Sequence, residues 1–219
     1  AFQERLTGKR QEKNLYRHEW VSLRLFLAFV GSDDDDTWLR RMMEPTAEDN
    51  NTWTETGRYL RDGLDLQTPP PFKNLPPLAA AISWLVVTHH RLPVIPEYKQ
   101  DGQQDWLGKK SSRFNAIQLP DLLNGITHEW NEIKREADQK SVEPYWSLAG
   151  DLPVILPKWK TQAAKLAARL LTLLSKNHSI WLDNPYVMHL ARLSLMLADH
   201  HYSSLPPDST ERVRGDSKG

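Results

Sequence analysis

The stretch Leu78-Ala-Ala-Ala-Ile-Ser-Trp-Leu-Val-Val-Thr-His89-His90 decides the fold class. It reads as a mostly apolar helix that stops before Pro93, because proline ends a helix that approaches it. Upstream, Leu15 to Val30 places Val21, Leu25 and Phe29 on one stripe. The aspartate run Asp33–Asp36 supplies an N-terminal cap and dipole partner for a short helix through Trp38, Leu39 and Met42. The run lacks the alternating ligands and turn glycine of a calcium loop. A further helix is expected from about Thr52 to Leu66, broken by Pro69–Pro71.

Downstream, residues 92–118 show little periodicity and read as a long loop, functional or partly disordered, with a basic patch at Lys109, Lys110 and Arg113. Helical pattern resumes from Pro120 to about Asp138. Leu156–Ser175 is strongly amphipathic, with Lys158, Lys160, Lys165 and Arg169 among its polar positions. The last helix, Pro185 to about Ser203, starts with proline behind an Asp-Asn cap. Beyond Pro206-Pro207 the sequence is polar. Alternation at period two is nearly absent, so the expected architecture is all-α: one domain over residues 1–205 and a polar tail or linker over 206–219.

The 219 residues suffice for a substantial core. Twenty-eight Lys+Arg balance 28 Asp+Glu, so no net charge steers the chain toward nucleic acid or membrane. With 39% hydrophobic and 26% charged residues, wholesale disorder is excluded. There is no cysteine, which rules out disulfides and thiolate metal sites and fits a reducing cytoplasm. No apolar run approaches the roughly 18–20 residues of a membrane span. The opening Ala1-Phe2-Gln3, without methionine, leads us to expect an excised piece of a longer product.

Nine tryptophans at helical spacing read as core. Four residues do not suit a bland helical core. His18 points into the stripe of Val21, Leu25 and Phe29; His89 follows Ile82, Leu85 and Val86; His90 shares a face with Ala79, Val86 and Val87; Asp199 lies with Met188, Leu195 and Met196. An unpaired carboxylate on an apolar face would cost several kcal/mol or take up a proton. Neutral imidazoles beside it can instead serve a divalent metal: zinc, manganese, iron, cobalt or nickel. The structural alternative is a core histidine bonded to a backbone carbonyl, with Asp199 paired to Arg192 or to a histidine.

In order, Phe2-Gln3-Glu4-Arg5-Leu6, Arg17-His18-Glu19, Thr88-His89-His90-Arg91 and Leu197-Ala198-Asp199-His200-His201-Tyr202-Ser203-Ser204 resemble the HD-type nuclease domain of the type I CRISPR-associated helicase–nucleases. The wording of these segments is most similar to the I-F subtype, where the nuclease–helicase is fused behind an adaptation-type domain. The resemblance spans residues 2 to about 204, on short motifs. It implies a compact helical bundle of the HD-hydrolase type, in which His18 matches a lone histidine, His89 and His90 a histidine pair, and Asp199 the final aspartate. The family's first histidine and its His-Asp doublet with a following glycine-lysine are not among these residues, and Phe2-Gln3 resembles the segment just after that doublet.

The resemblance implies metal-dependent endo- or exonucleolytic cleavage of single-stranded DNA in antiviral defence. The strand is opened by an RNA-guided surveillance complex and fed in by the protein's own ATP-driven helicase. Two ions about 3.5–4 Å apart would do the chemistry, with manganese, iron, cobalt or nickel expected and magnesium admissible. His18, His89 and His90 would serve one ion and Asp199 the other, and Asp199, His89 and His90 would be catalytic. Arg17, Arg91, Lys109, Lys110, Arg113, His200, Ser203 and Ser204, together with Arg24, are candidate contacts to the strand. The CRISPR integrase and phage-encoded inhibitors are candidate partners. Without the doublet, the chain alone is expected to have little or no nuclease activity. Two other readings use the same residues: an HD-type phosphohydrolase acting on nucleotides, and a non-catalytic helical interaction module docking through its tryptophans and the basic helix at 158–176.

Overall fold

The computed structural model describes residues 17–55, 57–65, 72, 74–92, 123, 126, 139–146, 152–177, 182, 184–206 and 208–212. The described residues form α1 (His18–Val30), α2 (Asp35–Met43), α3 (Ala47–Thr54), α4 (Pro77–Thr88), α5 (Gln139–Trp146), a 3-10 turn (Pro153–Ile155), α6 (Pro157–Asn177) and α7 (Pro185–Ser204). No strand occurs among them, and the fold is all-α. Most of the loop expected over 92–118 and of the helix expected over 120–138 lies outside the described residues, as do Pro69–Pro71. Among the described residues no helix is long and apolar enough to cross a membrane.

Helix α1 is the centre of the packing, touching α3, α4 and α5, while α2 lies against α4 and α6, and α7 against α4. The buried face of α1 runs through Trp20, Leu23, Phe29 and Val30, and it also buries Glu19 and Arg24. This corrects the stripe expected through Val21, Leu25 and Phe29: Val21 and Leu25 are only half-buried. The reason is polar. Arg24, 4% exposed, faces Asp62, 1% exposed, and its Nε and Nη2 donate to the two carboxylate oxygens at 2.5 Å each. The indole Nε1 of Trp20 donates to the same carboxylate at 2.7 Å. A salt bridge taken out of water survives only when its remaining hydrogen-bonding capacity is filled, and the tryptophan does this. Asp62 is held there by a turn whose next residue, Gly63, has φ 86° and would bring a Cβ to 3.2 Å from Val142. Any other residue would be strained at this φ and would press on the Val142 side chain.

The four aspartates divide their work. Asp34 caps α2 by accepting from the Thr37 N–H at 2.8 Å. Asp33 pairs with Arg41, and Asp36 with Arg40 one turn on. Asp35 reaches another helix: its two oxygens accept from the N–H groups of Leu78 (2.8 Å) and Ala79 (3.1 Å) and from the indole of Trp38 (2.9 Å). Helix α4 needs this, because it starts at Pro76-Pro77 with no side-chain cap of its own. Pro77 has no N–H, Leu78 and Ala79 bond to Asp35, and the Ala80 N–H bonds to the Pro76 carbonyl at 2.9 Å. Every first-turn donor of this buried helix is thereby accounted for.

The helix expected over 52–66 is corrected. Helix α3 starts earlier, at a capping box in which Thr46 and Asp49 bond reciprocally, and ends at Thr54. Glu55 is extended, and Gly57 and Gly63 take positive φ. Arg41 ties this region together, donating to Asp49 at 2.9 Å and to the Phe29 carbonyl at 2.9 Å, with its guanidinium 4.8 Å from the Phe29 ring centre. Of the tryptophans, Trp20, Trp38, Trp53, Trp84 and Trp146 are buried as expected. Past α7, where a polar tail was expected, Arg212 folds back and donates to the Leu205 and Pro206 carbonyls.

Two outcomes are expected in urea denaturation. Asp62→Ala, which leaves Arg24 buried without its carboxylate, should lower stability by about 3–5 kcal/mol, and replacing Arg24 and Asp62 together by apolar residues should cost less. Burial would raise the pKa of Asp49, but the Thr46 N–H and hydroxyl and the Arg41 guanidinium outweigh it and hold it below the ordinary carboxylate value. A carboxylate depressed by folding stabilises above its unfolded pKa and loses that contribution as pH falls through its folded value. The destabilisation caused by Asp49→Asn should therefore be full at pH 6 and shrink as the pH falls below about 4.

Candidate metal centre

Three helix segments meet at one place. Helices α1 and α4 run antiparallel, which sets His18 and Glu19, in the first turn of α1, beside His89 and His90, at and just past the end of α4. The ring centres of His18 lie 5.9 Å from His89 and 5.3 Å from His90, and those of His89 and His90 are 4.1 Å apart. Helix α7 crosses α4 and brings Asp199 within 3.3 Å of His90 Nε2. One ligand atom from each of His18, Glu19, His89 and His90 lies within 4.8 Å of the other three.

Three of these side chains are set in place or in charge by neighbours. His89 is 6% exposed, and its Nδ1 is 2.7 Å from the Val86 carbonyl. A carbonyl only accepts, so Nδ1 is the donor and Nε2 is the nitrogen left to serve as a ligand, as in a ligand histidine fixed by an outer hydrogen bond. Burial lowers the pKa of His90, the neighbouring His89 adds to this, and Glu19 and Asp199 oppose it. The ring is therefore biased toward the neutral form that a metal requires. Glu19 is 2% exposed. Burial pushes its pKa up, but hydrogen bonding from Arg17, the nearby His18 and its own backbone N–H outweigh burial, so it is lowered. The Nε of Arg17 donates to Glu19 Oε1 at 3.0 Å.

The expected residues fare differently. His89, His90 and Asp199 come together, and Asp199 pairs with His90, one of the partners foreseen for it. His18 joins them but does not point into an apolar stripe: its side chain is 66% exposed and lies at the mouth of the group. Arg24 is corrected, since its buried pairing with Asp62 leaves it no access to a phosphate. Arg17 is at the site but bonded to Glu19. Arg91 is half-buried next to the pair, and the His200 ring is edge-on to His90 at 6.2 Å. Ser203 is exposed, and Ser204 donates to the His201 carbonyl at the end of α7. Lys109, Lys110 and Arg113 lie outside the described residues. Glu19 joins the group although nothing in the sequence singles it out, since it looks like an ordinary first-turn acid favoured by the helix dipole.

Three imidazoles and a carboxylate in mutual reach form a donor set of the kind that divalent transition metals prefer. No family model matches the chain. Over 214 residues it is 38% identical to a CRISPR-associated nuclease/helicase Cas3, subtype I-F/YPEST, from Pectobacterium atrosepticum. Over 216 residues it is 40% identical to the protein of the same description from Pseudomonas aeruginosa. The chain is homologous to a stretch of subtype I-F Cas3. These matches take in 93% and 95% of the chain, which spans about 18% of the length of each of these curated relatives. The likeness covers both segments that carry the histidines, so the resemblance to the I-F helicase–nucleases holds well beyond the short motifs.

A ligand reading and a structural reading of the histidines differ in stability. His18→Ala should change the urea midpoint by no more than about 0.5 kcal/mol equivalent, as for an exposed residue. His89→Ala, which deletes a buried ring and its hydrogen bond, should cost about 1–3 kcal/mol. A large loss from His18→Ala would make His18 a structural residue.

Proposed function

We propose that this chain carries a metal-dependent nuclease centre of the HD-hydrolase type, which cuts single-stranded DNA in CRISPR interference. The observation that supports it is the convergence of His18, Glu19, His89 and His90 within 4.8 Å, with Asp199 against His90. His89 offers Nε2, since its other nitrogen is committed to the Val86 carbonyl. His90 is turned by Asp199, and Glu19 is kept ionised with the help of Arg17. His18 completes the group from the solvent side. Asp199 is proposed as the ligand that serves a second ion, together with donors from outside the described residues.

Manganese, iron, cobalt, nickel or magnesium, bound here, would supply Lewis acidity and an ionised water at neutral pH. The protein's own part is to hold neutral imidazoles and ionised carboxylates in register and to present phosphates to them. Arg17 bonds to Glu19 and His200 lies edge-on to His90, and these two, with Arg91, Ser203, Ser204, Lys109, Lys110 and Arg113, are proposed to line a basic path for the strand. That path would be salt-sensitive, as backbone contacts are. The Cas3 relatives are named as nuclease/helicases. We take the chain to act beside such an ATP-driven helicase, in the bacterial cytoplasm, on DNA opened by an RNA-guided surveillance complex.

The test is manganese-dependent cleavage of a single-stranded oligonucleotide by a nuclease/helicase polypeptide containing this stretch. His89→Ala should reduce the rate at least about 100-fold with the helical circular dichroism retained. Undiminished cleavage by that variant rejects the proposal. Hydrolysis of free nucleotides with no cleavage of the oligonucleotide would reassign the site to a nucleotide phosphohydrolase.

A further inference from the structure

The last carbonyls of a helix have no partners within it. At the end of α4 two of them are taken by one side chain: Arg192 of α7 donates from Nε to the Thr88 carbonyl at 2.8 Å and from Nη2 to the His89 carbonyl at 3.3 Å. Its half-buried guanidinium has no carboxylate partner among the described residues. It brings positive charge to the negative end of the α4 dipole. The peptide groups it grips are those from which the His89 and His90 side chains spring.

Seven residues further along α7 stands Asp199. Seven residues are close to two turns, so the two side chains share a face of α7, about 10 Å apart along its axis. One grips the backbone of the histidine pair and the other its second ring, at 3.3 Å. The first ring is turned by Val86. The pair thus has three restraints, and Arg192 is the one that acts on both members.

We infer that Arg192 is a positioning residue for the metal centre, clamping the Thr88–His90 backbone so that His89 and His90 are presented together. The inference rests on the metal-centre reading above. Arg192 is a cation and cannot itself be a ligand, so its effect passes through the histidines. A lysine would keep the charge but is a point donor and does not reproduce the planar fork that spans two carbonyls.

The experiment is a cobalt(II) titration of the full chain, reading affinity and ligand-field absorption, with circular dichroism and metal-free melting recorded for each variant. Arg192→Met should weaken cobalt binding about 10–100-fold and alter the absorption bands, with helical content retained. Arg192→Lys should fall between, and Arg169→Met, on α6, should match the wild type. Wild-type affinity and bands in Arg192→Met overturn the inference. Should Arg192→Met fail to fold, Arg192→Lys decides: weakened binding in a folded chain supports the clamp, and wild-type binding overturns it. Should the wild type itself bind no cobalt, the metal reading fails on its own. The clamp is then judged from the ring nitrogen shifts of His89 and His90 in the metal-free chain. A redistributed His89 tautomer in Arg192→Met, or in Arg192→Lys if only that variant folds, upholds it, and unchanged shifts overturn it.

Discussion

A buried helix must dispose of the polar groups at both of its ends, and in this chain that requirement falls on α4. Ala79, Ala80, Ala81, Trp84 and Val87 are all buried, so α4 cannot leave its terminal donors and acceptors to water. Its first donors go to Asp35 of α2 and its last carbonyls to Arg192 of α7. A negative charge at the start and a positive one at the end also suit the direction of the helix dipole. These two side chains join three helices that are remote in sequence, and the second brings α7 to the place where the histidines are.

The candidate site follows from that arrangement. It sits where α1 begins and α4 ends, with α7 laid across. Three of its members have a neighbour that sets orientation or charge: Val86 for His89, Asp199 for His90, Arg17 for Glu19. The group forms a graded wall, from the buried Glu19 and His89, through the half-buried Asp199, to the exposed His18. A graded wall of this kind gives one closed side and one open side.

Much of the helix content was legible in the sequence, because 3.6-residue periodicity and cap residues are local signals. Asp34 and Asn184 cap as a first-turn rule expects. The His89-His90 pair and Asp199 were legible as residues that do not suit an apolar face. What was not legible depended on partners far along the chain. Asp35 looks like another local cap, and its role appears only with Leu78 beside it. Arg24 looks like a phosphate contact until Asp62, 38 residues away, is brought against it. The expected helix over 52–66 failed because its apolar spacing was real but two glycines at positive φ interrupt it. Glu19 was passed over because a first-turn acid needs no special explanation.

The three alanines at the start of α4 bear on the far end of the molecule. Buried to within 1% exposure, they give α4 room only as a thin rod. From Ala79 to His89 that rod is about 15 Å long. A bulkier side chain at its root would force the packing around it to shift, and the far end of the same helix carries His89 and His90. The placement of the histidine pair therefore depends on methyl groups two or more turns away from it, and a search confined to ligand residues would pass over those positions.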